Sequence, residues 1–490
     1  MIPCRRFAAL VSILALAVGC ANQDDPHRGV ETGADNAAVD AVFASWDQPG
    51  SPGCALSVAQ GGSLVYSRGY GYANLDYHIP ITPQTVFDVG SVTKQFTAAS
   101  LSMLALEGKL TLDDNVREWL PELGVYEWPI TLKHMLHHTS GLRDYLNLFP
   151  LAGRGDYYPI SHAQILAMMS RQRALIFPPG ERYEYSNTAY MLLAQVLERA
   201  GGKSLGEMAQ ERIFDPLEME SSLMYENLEE IIPRRATGYA RDDEGRLRIV
   251  HNYGFDVAGD GQLYTTMEDL LLWDDYLHGD EPPAIHPLML TEGHLNNGDP
   301  IGYAQGIRLS AYRGLRTVGH SGSSWGFRTR LVRFVDPGLS IAISCNTGSA
   351  DPEKLAQRVA DHYLADQLGP KEGDDDPAAG QSVADVPAEL RTLIDADLAE
   401  FVGVFFAAEL DATYRIAAAD GGLVVRIEQE PPLELVPVAD DQFEFAFRNQ
   451  GSDSSGPQTV SLQFDRNRAG AVAGFGLSSG SERGIVFEKR

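Results

Sequence analysis

Ser91 and Lys94 stand three residues apart in the run Gly90-Ser91-Val92-Thr93-Lys94, which opens a helix-patterned segment. Side chains at that spacing share a helix face, so the Lys94 amine can reach the Ser91 hydroxyl. A serine hydroxyl is a weak nucleophile at neutral pH until a neighbour takes its proton. Free backbone N–H groups in a first helical turn also favour negative charge developing nearby. Tyr185-Ser186-Asn187 lies between Pro179-Gly180 and another helix-patterned segment, on a loop at a helix entrance. A phenol there can shuttle protons when cations lower its pKa, and an amide can orient Lys94 or a substrate carbonyl. His320-Ser321-Gly322 closes the strand-like segment LRTVGH. A glycine at that point lets a substrate carbonyl lie close to the strand, and the following N–H can point at an oxyanion.

Two other motifs invite different chemistry. Gly322-Ser323-Ser324-Trp325-Gly326 matches a nucleophile elbow, which requires a helix after the serine. Phe327 to Val335 alternates like a strand instead, so Ser324 is rejected as a nucleophile. His134, His137 and His138 have helical spacing that could grip a metal, but no carboxylate with metal-site spacing accompanies them. Neither a metal nor a cofactor is expected.

The elements that must position these groups can be read from periodicity. Val39, Val42, Phe43 and Trp46 recur at helical spacing, and two short strands, 54–59 and 63–71, meet at Gly61-Gly62. Helical patterns dominate 92–310, strands return over 313–346, and a helix at 352–365 closes the unit. Strands at both ends with helices between imply an α+β domain over 36–368, its antiparallel sheet flanked by helices and carrying an inserted helical lobe. Residues 369–386 are acidic, Pro/Gly-containing and poor in large apolar side chains, and read as a linker. Beyond it, 387–490 holds eight short strands with turn signals such as Asp420-Gly421-Gly422, which fits an all-β up-and-down barrel. The alternation at Phe443, Phe445 and Phe447 indicates a packed barrel interior.

A length of 490 residues suits two or more domains, and a net charge of −28 argues against nucleic acid as a partner. Arg5-Arg6 followed by the apolar run 7–18 reads as a signal peptide over 1–20. It ends Ala17-Val18-Gly19-Cys20, so Cys20 is the expected lipid attachment point, and the polar stretch 21–35 is the expected flexible tether. The expected address is the periplasmic side of a bacterial envelope, anchored by lipid at the outer membrane, since no Asp follows Cys20. Cys54 and Cys345 both fall in apolar strand-like segments; spacing leaves a disulfide and two buried thiols equally open.

Taken together, the three motifs make the chain resemble the serine β-lactamase and penicillin-binding protein superfamily, in its class C-like group of β-lactamases, D,D-carboxypeptidases, D-aminopeptidases and esterases. The resemblance covers about 38–366. It extends to Phe87-Asp88-Val89-Gly90, to Gly108-Lys109-Leu110-Thr111-Leu112-Asp113-Asp114, to residues 130–142 (ITLKHMLHHTSGL) and to Phe214-Asp215-Pro216-Leu217. It implies Ser91 as the acylated nucleophile, Lys94 and Tyr185 as the acid/base pair, and Asn187 as the residue that holds Lys94 or the substrate amide. His320, Ser321 and Gly322 would form the substrate-binding strand, with the N–H groups of Ser91 and Ser323 as the oxyanion hole. The tail resembles the lipocalin-like barrel of some family peptidases. His320 departs from the lysine of typical β-lactamases, which weakens binding of a substrate carboxylate and favours a peptide or ester over an antibiotic. Gly259-Asp260-Gly261-Gln262 replaces a run of glycines and is expected to reshape a cleft wall. The expected function is a serine hydrolase acting on D-amino-acid peptides, with carboxylesterase and β-lactamase as alternatives and a catalytically weak penicillin-recognising scaffold as the rival of another class.

Overall fold

In the computed structural model, residues 28–31 and 36–490 are described, apart from 156–159, 243, 251, 253–254, 280, 371–397, 420–421, 429 and 448–457. The expected signal peptide, Cys20 and most of the expected linker lie outside these residues.

Seven strands form one sheet, and its order explains why both ends of the domain read as strands. The strands are β1 (Arg28–Glu31), β2 (Cys54–Gln60), β3 (Ser63–Tyr70), β4 (Arg308–Tyr312), β5 (Leu315–Ser324), β6 (Phe327–Phe334) and β7 (Leu339–Cys345). They run in the order β1-β3-β2-β7-β6-β5-β4, so β2 from the start of the domain pairs antiparallel with β7 from its end. Residues 28–31, within the stretch 21–35, pair antiparallel with β3, whose edge otherwise offers unpaired backbone groups. Cys54 and Cys345 face each other across the β2–β7 seam and are disulfide-bonded.

Each face of the sheet is covered by different helices. Helices α1 (Asn36–Phe43) and α8 (Pro352–Tyr363) pack on one side, where Val39, Phe43, Leu56, Val58, Ile341, Ile343 and Val359 form one core cluster. The other face presents smaller residues such as Ala55, Ala59 and Ala342, and meets α7 (Met267–His278) and the helical lobe. That lobe contains α2 (Lys94–Leu106), α3 (Leu132–Leu136), α4 (Tyr145–Leu151), α5 (His162–Arg171) and α6 (Asn187–Gly201). Helix α6 is apolar over nearly all its turns because α2, α3, α4 and α5 surround it. None of the described helices is long and apolar enough to cross a membrane.

The C-terminal strands close into an eight-stranded antiparallel barrel: β8 (Gly403–Ala407), β9 (Ala412–Ala419), β10 (Gly422–Ile427), β11 (Leu433–Ala439), β12 (Gln442–Phe447), β13 (Gln458–Arg466), β14 (Val472–Ser479) and β15 (Glu482–Lys489). Strand β15 returns to pair with β8. Phe405, Tyr414, Phe443, Phe445, Phe464, Phe475 and Phe487 point inward, with Phe475 stacked on Phe487 at 4.6 Å between ring centroids. The interior is therefore filled by rings. Turns at one rim, around Glu409, Glu428 and Ser481, meet the segment 143–155 of the lobe.

Candidate active site

The turn that carries Ser91 is tighter than the helix its sequence suggests. Gly90–Thr93 forms a 3-10 turn, and α2 begins only at Lys94. Gly90 has φ +51 and donates its N–H to the Asp88 carboxylate at 2.9 Å, while the Thr93 hydroxyl closes the turn onto the Gly90 carbonyl at 2.6 Å. A Cβ on Gly90 would stand 2.8 Å from the Ser323 nitrogen, and one on Gly322 would stand 1.9 Å from the Val89 carbonyl oxygen and 3.3 Å from the Ser91 nitrogen. Glycine at both positions lets the turn and β5 touch, with the Ser323 nitrogen against Gly90 and the Ser91 nitrogen against Gly322. Asp88 also accepts from the Ser324 hydroxyl at 2.6 Å; burial raises its pKa to about 6. Ser324 thus supports the turn from the end of β5, and a strand, not a helix, follows it.

Lys94 is fully buried, and three oxygens surround its amine. The Nζ atom lies 3.1 Å from Ser91 Oγ, 2.9 Å from Asn187 Oδ1 and 2.8 Å from the Asp260 carbonyl oxygen. The amide and carbonyl oxygens can only accept, so they take two N–H bonds. The Ser91 hydroxyl is the partner that can reverse the bond and donate to a neutral amine. This arrangement can pass the serine proton to Lys94. Asn187 is the first residue of α6, whose start is capped by the Ser186 hydroxyl on the Ala189 N–H.

Aromatic rings enclose the amine. Lys94 Nζ is 4.9 Å from the Tyr185 ring centroid and 5.6 Å from that of Tyr190. The Tyr185 hydroxyl is buried and makes no hydrogen bond to the protein among the described residues. His138 packs 4.1 Å from Tyr185 and accepts the Ser186 N–H on Nδ1 at 3.0 Å, so its hydrogen is on Nε2. Burial first, then the Lys94 charge, hold its pKa well below the imidazole range. His134 caps α3 through Thr131, so these histidines serve packing and capping.

His320 occupies a different place from the one expected. It is 3% exposed, and both ring nitrogens are engaged. Nδ1 is 2.6 Å from the Ser321 carbonyl, which can only accept; Nε2 is 3.0 Å from the Tyr303 hydroxyl and accepts from it. Burial, reinforced by the Lys94 charge, lowers the pKa to about 3, so the ring is neutral. It supports Tyr303 and Tyr185 from behind, whereas its neighbours Ser321 and Ser323 are exposed.

The Beta-lactamase family profile matches residues 38–364, two thirds of the chain and all of the site just described. The chain belongs to the Beta-lactamase family. It is 31% identical over 327 residues to a penicillin-binding protein of Bacillus subtilis (strain 168), covering 63% of this chain and 71% of that one. It is 27% identical over 502 residues to a D-aminopeptidase of Cereibacter sphaeroides (strain ATCC 17029 / ATH 2.4.9), covering 89% of this chain and 96% of that protein. The octameric penicillin-binding protein homologue of Pyrococcus abyssi has the same fold, with a TM-score of 0.59 at 22% identity over 93% of this chain and 100% of that one. The protein is a serine hydrolase of this family.

Several residues around this Beta-lactamase-family site were not anticipated. Asp144 accepts the Asn187 N–H at 2.5 Å and the Leu146 N–H at 2.9 Å, and burial raises its pKa to about 6. Tyr145 donates to the Asp260 carboxylate at 3.1 Å, so Asp260 meets Tyr145 through its side chain and Lys94 through its carbonyl. Arg308 is exposed at the start of β4, 5.9 Å from the Tyr185 ring and 5.8 Å from that of Tyr303. A cavity of about 270 Å³ adjoins Tyr185 and Asn187; Asp144, Glu184, Gln458, Ser481 and Glu482 are among its lining residues. The one sequence signal for this group was Asp144 standing before the apolar run that becomes α4, a helix-cap pattern.

Proposed function

We propose that this chain hydrolyses peptides or amides carrying a D-amino acid with a free amino group, through an acyl-enzyme on Ser91. The observation that carries this reading is the cavity beside Tyr185 and Asn187, whose lining includes the Glu184 carboxylate and no cation, while Asp144 and Glu482, which also line it, are already engaged by backbone N–H groups and Arg143. Such a wall favours an ammonium group and disfavours a carboxylate. The D-aminopeptidase relatives, one aligned over 89% of this chain, support the same substrate class. The neutral His320 supports it too, because the strand beside Ser91 offers no ammonium of its own to a substrate carboxylate.

In this reading Lys94 takes the Ser91 proton as Oγ bonds to the carbonyl carbon. The carbonyl oxygen gains its negative charge beside the Ser91 and Ser323 N–H groups. The Tyr185 hydroxyl, with Lys94, delivers a proton to the leaving amine as the C–N bond breaks. Water then adds to the acyl-enzyme and releases the acid and Ser91. Arg308 favours a second reading, a carboxypeptidase-like substrate, because it places a guanidinium over the Tyr185 ring that could hold a carboxylate. The Ala17-Val18-Gly19-Cys20 motif and the Cys54–Cys345 disulfide support an oxidising envelope address with a lipid anchor on Cys20.

A panel of D-amino-acid p-nitroanilides, N-acetylated D-amino-acid p-nitroanilides, D,D-dipeptides, p-nitrophenyl esters and nitrocefin tests the proposal. Turnover of the free-amine anilides well above their N-acetylated counterparts is expected. Preference for the acetylated compounds or for nitrocefin would overturn it.

A further inference from the structure

Glu482 is the first residue of β15 in the barrel, yet it is fully buried against the lobe that carries Asn187. One carboxylate oxygen, Oε1, accepts the Asp144 N–H at 3.0 Å and the Asn147 side-chain amide at 3.3 Å. The other faces Arg143 Nε at 3.8 Å. Arg143 is buried as well, donating to Gln172 at 2.8 Å, to the Arg483 carbonyl at 2.7 Å and to Glu409 at 3.2 Å. Glu409 completes the clasp by accepting the Arg173 N–H at 2.7 Å. Charged groups so deeply buried are retained only where they are paired, and here every pair crosses from the barrel to the lobe.

Asp144 is where this clasp meets the chemistry. Its backbone N–H is held by Glu482, while its carboxylate holds the Asn187 backbone N–H, and the Asn187 side chain holds Lys94. We infer that Glu482 is a positioning residue of the hydrolase: the barrel fixes Asp144, and thereby Asn187 and Lys94, in the geometry that deprotonates Ser91. The same hairpin, through Ser481 and Glu482, lines the cavity beside Tyr185 and Asn187. The inference rests on the acyl-enzyme reading above.

The test compares full-length variants by kcat and KM on the best D-amino-acid anilide and by the rate of Ser91 labelling with a fluorophosphonate. Glu482→Ala is expected to lower kcat and the labelling rate about 10- to 100-fold, the scale of a small misplacement at a reacting centre, with KM changed less than about threefold. Glu482→Gln keeps an oxygen for the Asp144 N–H and should recover most of that loss. Glu409→Ala removes a clasp residue that does not touch Asp144, so it should lower thermal stability while leaving kcat near wild type. If Glu482→Ala does not fold, Glu482→Asp, which draws the carboxylate back by one methylene, should give the same kcat-selective loss on a smaller scale. Wild-type kcat in the folded Glu482 variants, or an equal kcat loss in Glu409→Ala, would overturn the inference. Labelling that persists in Ser91→Ala would instead overturn the acyl-enzyme reading, so the two failures are distinguishable.

Discussion

The Ser91 turn and the Glu482 clasp both lead to Lys94, one through Ser91 itself and the other through Asp144 and Asn187, and are built on different physics. The turn is held by backbone close approach at Gly90 and Gly322 and by the Asp88 carboxylate, all inside one domain. The clasp is a set of buried ions, Arg143 with Glu409 and Glu482, joining two domains. A turn of the first kind sets where a nucleophile sits, and its loss abolishes a reaction. A clasp of the second kind would set how well Lys94 is aimed, and removing one partner strands the other charge in a dry interface.

That contrast can be broken at several points. The largest effect should be Ser91→Ala, with a loss of kcat of roughly 10³-fold or more and a near-normal melting temperature. Measurable acylation in that variant would remove the turn from its role. Gly322→Ala should come next, because its Cβ would stand 1.9 Å from the Val89 carbonyl and must push the turn from the strand. A fall in fluorophosphonate labelling of about 10²-fold is expected, and unchanged labelling would show that the close approach is dispensable. Reducing the Cys54–Cys345 bond should lower stability by about 2–5 kcal/mol, read by urea unfolding with and without reductant. Tyr303→Phe takes the donor from His320 Nε2 and should cost about 1–3 kcal/mol in the same assay.

The smallest effect is the pH dependence that Glu482 itself contributes, isolated by comparing wild type with Glu482→Gln. Burial raises the Glu482 pKa from 4.5 to about 7. The folded protein therefore holds this proton more tightly than the unfolded chain does between those values. The stability contributed is fully present below about 4.5 and is lost as pH rises through about 7. The difference in urea midpoint between wild type and Glu482→Gln should accordingly shift in favour of wild type as pH falls from 8 toward about 4.5. A shift of the opposite sign would mean that the carboxylate is held in its charged form.

The same contrast decides what could be read from the amino-acid order. Ser91 and Lys94 announce themselves because a helical turn encodes contact at a spacing of three, and the barrel strands do so because alternation is local. Their partners at 185–187 and 320–323 were legible through the family resemblance. His320 was legible as a departure from lysine, but not as a buried ring, since burial depends on Tyr303 arriving from the segment before β4. Arg143, Glu409 and Glu482 carry no local signature: an isolated charge at a strand end or loop looks like solvated surface until the fold joins positions hundreds of residues apart. The 3-10 form of the Ser91 turn was equally hidden, because it depends on contact with β5.

Strand β15 closes the barrel by pairing with β8, and its first residue is Glu482. During synthesis Ser91 leaves the ribosome long before the residue proposed to steady Lys94. A nascent or truncated polypeptide ending short of 482 would hold the whole reactive constellation yet hydrolyse sluggishly, and full turnover would begin only when the final strand had been made and had docked.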